Sequence, residues 1–108
     1  MSAKLITYTS LTNDLAQVLS SGSTPNVSLY SDEEANTLFT DSDGNTHSEK
    51  TVGTVNYTEP HNDENNNQVI NGFLTVTFTD GTQVKITDKV DTVYYNIVAV
   101  AFKPRRFN

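Results

Sequence analysis

The side chains best suited to move a proton near neutral pH are two histidines, His47 and His61. Each stands in a polar stretch, TDSDGNTHSEK around the first and TEPHNDENNNQ around the second. Nucleophilic catalysis needs a base oriented by a third group and a nucleophile held on a strained turn. No G-x-S-x-G or equivalent occurs, and Ser48 is only the chain neighbour of His47. Both histidines are therefore expected as solvated loop residues, with no catalytic residue assigned.

Metal chemistry has two candidate sites. Asp41, Asp43 and Asn45, with Glu49 further on, place oxygen donors at alternating positions as a calcium loop does. The pattern departs from the EF-hand: Gly44 falls at position four rather than six, and Val52 stands where the bidentate Glu is required. A turn held by Asp and Asn side chains accounts for it better. Glu59, His61, Asp63 and Glu64 form the second group, in a loop poorly suited to rigid coordination. No Gly-rich phosphate loop exists, no tryptophan offers a sugar platform, and nothing sets two acids on rigid strand ends for glycoside hydrolysis. The expectation is no cofactor, no resident metal and no enzymatic activity.

Charge is divided along the chain. The net charge is −6, yet residues 1–65 carry ten acids against Lys4 and Lys50. Residues 66–108 carry Asp80, Asp88 and Asp91 against Lys85, Lys89, Lys103, Arg105 and Arg106. An acidic balance disfavours direct binding to nucleic acid or anionic lipid. Lys103, Arg105, Arg106 and Phe107 form a short basic arm over residues 103–108, suited to an acidic protein surface. Asp32, Glu33 and Glu34 are the matching acidic candidates for partner binding.

These residues must be carried by a single domain of 108 residues, whose 35% hydrophobic content is low and made up by Thr, Asn and Ser. No cysteine is present, which excludes disulfides and thiolate metal sites. The N-terminus lacks the apolar core of a signal peptide and no run is long enough for a membrane span, so synthesis in the cytoplasm is expected. The two N-x-S/T triplets at Asn26 and Asn56 then read as chance in a chain this rich in Asn, Ser and Thr. Alternation predicts a first strand over Lys4–Thr9. Thr12 or Asn13 caps a short helix carrying Leu15, Val18 and Leu19, closed by Gly22, and Val27–Tyr30 is extended. Ser31-Asp32-Glu33-Glu34 reads as a capping box opening a second helix to about Phe39. A polar loop with a turn at Asp43-Gly44 leads to a strand over Thr51–Thr58, with Val55 and Tyr57 on one face and Val52 on the other. Glu59–Gln68 is the least core-like segment.

The last third carries the firmest pattern. A two-residue Asp80-Gly81 turn would set Phe78, Val76 and Leu74 on the face opposite Val84 and Ile86. A three-residue loop, Thr79-Asp80-Gly81, pairs Val76 with Val84 and Leu74 with Ile86 and puts all five on one core face. Burying five such side chains is worth about 1.5–3 kcal/mol each, more than any preference between turn types, so the longer loop is expected. Val93–Phe102 is apolar on both faces except Asn96 and reads as a central strand covered on each side. Tyr94 and Tyr95 then face opposite ways, one into the core. The fold class is α+β, a mostly antiparallel sheet of five to six strands with two short helices; a β-sandwich with helical insertions is the alternative.

Small size, a Thr/Asn/Ser-rich surface, the absence of a catalytic set and the divided charge predict a structural or assembly protein. In overall character it resembles small bacteriophage virion proteins, the capsid decoration, head-completion and tail components. That resemblance implies incorporation into a virion and contacts with copies of itself or a larger protein scaffold, without direct nucleic acid or membrane binding. An acidic inhibitor of an anti-defence kind, presenting Asp32, Glu33, Glu34, Asp41 and Asp43 as a mimic of nucleic acid, is the second expectation. A carbohydrate- or ligand-binding β-module with Tyr30 and Tyr57 as stacking residues is the third.

Overall fold

The structure, a computed structural model, describes residues 3–65 and 69–101. The elements run β1 (Lys4–Leu5), α1 (Tyr8–Ser20), β2 (Ser23–Tyr30), β3 (Lys50–Thr58), β4 (His61–Asn62), β5 (Val69–Ile70), β6 (Phe73–Phe78), β7 (Gln83–Thr87) and β8 (Tyr94–Ala101). Six strands make one antiparallel sheet in the order β1-β8-β2-β3-β6-β7, and β4 pairs with β5 apart from it. The architecture is a mostly antiparallel sheet with one helix among the described residues.

The β6–β7 hairpin adopts the register that buries its apolar set. Val76 faces Val84 and Leu74 faces Ile86, with Phe78 N–H donating to Thr82 O across the loop. Gly81 supplies the left-handed residue at φ +91°. Leu74, Val76, Phe78, Val84 and Ile86 are all buried in one core. β3 joins this core through a bulge: the pairing slips between Val52 and Thr54, so Val52 opposes Phe78 while Val55 opposes Val76. The extra residue, Gly53, turns Val52 onto the same face as Val55, which corrects the strict alternation expected there.

α1 starts earlier than expected. Thr7 and Ser10 cap reciprocally, Thr7 Oγ1 accepting from Ser10 N–H at 3.0 Å and Ser10 Oγ from Thr7 N–H at 3.1 Å. That closed cap cuts the predicted first strand to Lys4–Leu5. Leu11 and Leu15 are buried toward β2, β3 and β8, and Gly22, at φ +82°, follows the last turn as the sequence suggested. The extended segment expected from Val27 is longer, reaching back to Ser23 through Pro25.

Two further expectations are overturned. No helix forms from Ser31 to Phe39. The Asp32 carboxylate instead accepts from the backbone N–H groups of Asn36 and Thr37, and Ala35 takes the left-handed conformation at φ +62°, so the chain turns back and Leu38 bridges to Tyr30. β8 is not a covered central strand. β2 flanks its whole length, but β1 flanks only Tyr94 and Tyr95, and Val98 and Val100 are 50% and 45% exposed. Tyr95 is the buried member of its pair and Tyr94 is half-buried. The predicted basic arm, Lys103, Arg105, Arg106 and Phe107, lies outside the described residues.

Gly72, ahead of β6, is a close-approach point. A Cβ there would collide with the Tyr57 hydroxyl and come within 2.9 Å of Thr58 O. Gly72→Ala is expected to cost about 1–3 kcal/mol, the range for overpacking, read as a lower urea midpoint, whereas Gly44→Ala has free space for its methyl and only its positive φ of 84° to oppose it.

Candidate functional site

The chemistry-bearing residues that the fold gathers are Asp41, His47, Lys50 and Asp80. The loop between β2 and β3 is folded on itself, Asp41 N–H donating to Asn45 O and Gly44, at φ +84°, to Asp41 O. The turn expected at Asp43-Gly44 is therefore present. It aims His47 inward, where the ring is fully buried and stacks on Phe78 at 5.2 Å between centroids. The solvated loop histidine expected at this position is thus a core residue. Its partners explain why burial is tolerated, since a buried polar group must find hydrogen bonds.

His47 Nε2 lies 2.9 Å from Asp41 Oδ2, and Nδ1 lies 3.0 Å from Lys50 Nζ. An ammonium only donates, so Nδ1 accepts and Nε2–H donates to Asp41. Lys50 Nζ also donates to Thr82 Oγ1 at 3.2 Å, approaches Asp80 to 3.6 Å and sits 5.5 Å from the Phe78 ring centroid. The hydrogen bond from His47 holds the Asp41 carboxyl below the usual carboxylate range against the opposing effect of burial, and the N–H groups of Asn45 and Asp43 assist. Hydrogen bonds from Thr82 do the same for Asp80. An Asp–His–Lys chain of this kind has the parts of a proton relay. With the imidazole sealed from solvent, it works here as a clasp between the β2–β3 loop and the β6–β7 hairpin.

The other candidates are dispersed. Asp41 spends its carboxylate on His47 and on the N–H groups of Asp43 and Asn45, while Asp43, Asn45 and Glu49 are exposed. Glu49 has a positive φ of 51° and its N–H bonds to Ser28 Oγ. Among the described residues, no group of three or more His, Cys, Asp or Glu is gathered to hold a metal ion. His61 is exposed on β4, its Nδ1 facing Glu59 O. Asp32, Glu33 and Glu34 sit on the turn after β2, where Glu33 O accepts the Ala3 N–H at 2.7 Å.

Tyr30 pairs with Tyr94 on β8 and Tyr57 with Leu74 on β6, so the two proposed stacking residues belong to different strand pairs. Tyr57 lines a cleft of about 330 Å³ with Tyr8, Leu74 and Ile86. Its hydroxyl donates to Asp88 at 2.5 Å, which raises the phenol above its usual range. A second cavity, of about 270 Å³, opens between α1 and β8 and is lined by Lys4, Asp14, Gln17, Tyr95 and Ile97. There Tyr95 Oη donates to Asp14 at 2.6 Å and Lys4 pairs with the same carboxylate at 3.0 Å. Burial, then the Asp14 carboxylate, pushes the Tyr95 phenol up to about 12.

The residues missed from sequence are Lys50 and the buried role of His47. Their shared partner Phe78, and Asp80 beside Lys50, lie about thirty positions away, beyond the reach of any local pattern. No protein-family model, no curated protein and no solved structure matches this chain.

Two titrations test the geometry. Asp41, with its lowered folded pKa, stabilises the fold fully above its ordinary value of 3.8, and that share is lost as pH falls through the lowered value. Asp41→Ala is expected to cost about 1–3 kcal/mol at pH 7, the penalty for an orphaned buried donor. The mutant and native urea curves should converge in acid. Tyr95, raised from 10 to about 12, contributes stability below pH 10 that is lost as pH climbs through 12. Tyr95→Phe should therefore flatten the alkaline loss of stability and remove a late-ionising phenol from the absorbance titration.

Proposed function

We infer that this protein is a non-enzymatic assembly module that works through protein–protein contacts, as the virion components it resembles in character do. The observation that supports it most strongly is the open edge of β8. From Asn96 to Ala101 no described strand flanks that side, and Val98 and Val100 stand exposed beside it. Unprotected, uncharged edges are templates for pairing with another chain, and monomeric proteins blunt them with Lys, Pro or bulges. The opposite edge of the sheet, β7, carries such a charge at Lys85, exposed like its neighbour Gln83. Burial of the His47 ring supports the same reading, because the best-arranged proton carrier is turned away from solvent. The mimicry reading is less well served: Asp41 is drawn onto His47, its side chain 7% exposed, and leaves the acidic face.

Native mass spectrometry of the protein taken from its source cells tests this. The expected species contains at least one further polypeptide and falls to the single chain in the Val98→Lys, Val100→Lys variant. The same mass for both, or a lone chain in both, overturns the reading.

A further inference from the structure

We propose that the cleft between the start of α1 and the β6–β7 hairpin binds a small alkylammonium group, held by the Asp88 carboxylate and the Tyr8 and Tyr57 rings. The inference goes beyond the assembly reading, and no residue lining this cleft lies on β8.

The floor of the cleft is apolar. Ile6, Leu74 and Ile86 are buried beneath a space of about 330 Å³, at the small end of the range for ligand pockets. The walls are aromatic. Tyr8 and Tyr57 are 42% and 36% exposed, and their rings meet at 6.0 Å between centroids with a tilt of 40°. The negative faces of such rings attract cations.

Asp88 supplies the charge. Tyr57 Oη donates to its Oδ2 at 2.5 Å, and no cation pairs with it among the described residues. Asp14 and Asp80, by contrast, have Lys4 at 3.0 Å and Lys50 at 3.6 Å. Lys85 is no substitute. Alternation along β7 sets it on the face opposite Ile86, and its Nζ lies 4.1 Å from the Phe73 ring centroid. A neighbouring cleft of about 380 Å³ shares Ile6, Ile86 and Asp88, and Lys89 lines only that one. The Tyr57 phenol registers the negative potential. The hydrogen bond to Asp88 raises it above its ordinary range, burial adds to this, and the charges of Asp88 and Glu59 act in the same direction.

The carboxylate is held in place before any ligand arrives. Gly72 has no Cβ to displace the Tyr57 hydroxyl, and its carbonyl accepts the Asp88 N–H at 2.9 Å. The Thr7–Ser10 cap fixes Tyr8 at the first position of α1. The groups that converge are one fully charged acceptor and two ring faces, and both call for a positively charged donor. A sugar is served less well: Thr7 Oγ1 is committed to Ser10, and rings tilted by 40° make no flat platform.

A proton–nitrogen NMR titration of the purified full-length chain with butylammonium chloride, against sodium chloride at equal ionic strength, tests this. The amides of Tyr8, Thr9, Tyr57 and Asp88 should shift saturably, with a dissociation constant on the order of 1–10 mM. Neutral 1-butanol should bind about tenfold more weakly. Asp88→Asn, whose remaining carbonyl oxygen can still accept from Tyr57, should weaken butylammonium about as much. Tyr8→Leu should cost about two- to fivefold, and Asp14→Asn, in the other cavity, nothing. Nα-acetyl-lysine amide separates two sources of the group: equal binding points to a protein side chain, exclusion to a free amine, and either upholds the site. No saturable shift, equal binding of butanol, or full affinity in Asp88→Asn with an unchanged unfolding curve overturns the proposal. If Asp88→Asn fails to fold, butanol and Tyr8→Leu decide. These readouts need only the single chain, so their failure leaves the assembly reading, tested on the cellular complex, untouched.

Discussion

The sheet is held together by a short seam. β2 and β3 share only the pairs Asn26–Thr51 and Val27–Lys50, yet they join the β1-β8-β2 half to the β3-β6-β7 half. His47 completes the seam: its carbonyl accepts the Leu29 N–H on β2, its ring stacks on Phe78 of β6, and its Nδ1 takes Lys50 of β3. Lys50 then reaches Thr82 and Asp80 in the hairpin loop. Burying so polar a group is costly unless every partner is supplied. The partners are present, and among the described residues no buried side-chain nitrogen or oxygen lacks one. α1 covers the same seam from one side with Leu11 and Leu15, so the helix and the clasp hold one joint.

That seam also separates the sheet's two edges in character. On the β7 side the strand is short, carries an exposed lysine and ends in the turn where Asp91 caps Thr87 N–H. On the β8 side the strand outruns β1 by six residues and carries no charge. An apolar edge that no described strand shields is a liability in a monomer and an asset in an assembly. The assembly reading therefore rests on what the protein leaves open.

Some of this was legible in the residues. The hairpin register followed from the requirement that Leu74, Val76, Phe78, Val84 and Ile86 share a face, a constraint of several kcal/mol that outweighs the local preference for a two-residue turn. The second helix failed for a reason equally local: beside the Ser31 capping box stands Asp32, a turn-former, and its carboxylate took the Asn36 and Thr37 N–H groups. The first helix was displaced because the Thr7–Ser10 pair is also a cap, five or six residues ahead of the cap expected at Thr12 or Asn13. β8 was misread because an apolar strand of period one reads the same whether it is covered or waiting to be covered.

Alternation, turn residues and charge order were enough to establish the hairpin, the Gly22 stop, the Asp43-Gly44 turn and the opposition of acidic and basic ends, because each depends on neighbours within a few positions. The burial of His47, the bulge at Gly53 and the short pairing of β1 with β8 depend on which strands meet across the chain. Those meetings arise from packing, where residues tens of positions apart compete for the same space and the same hydrogen bonds.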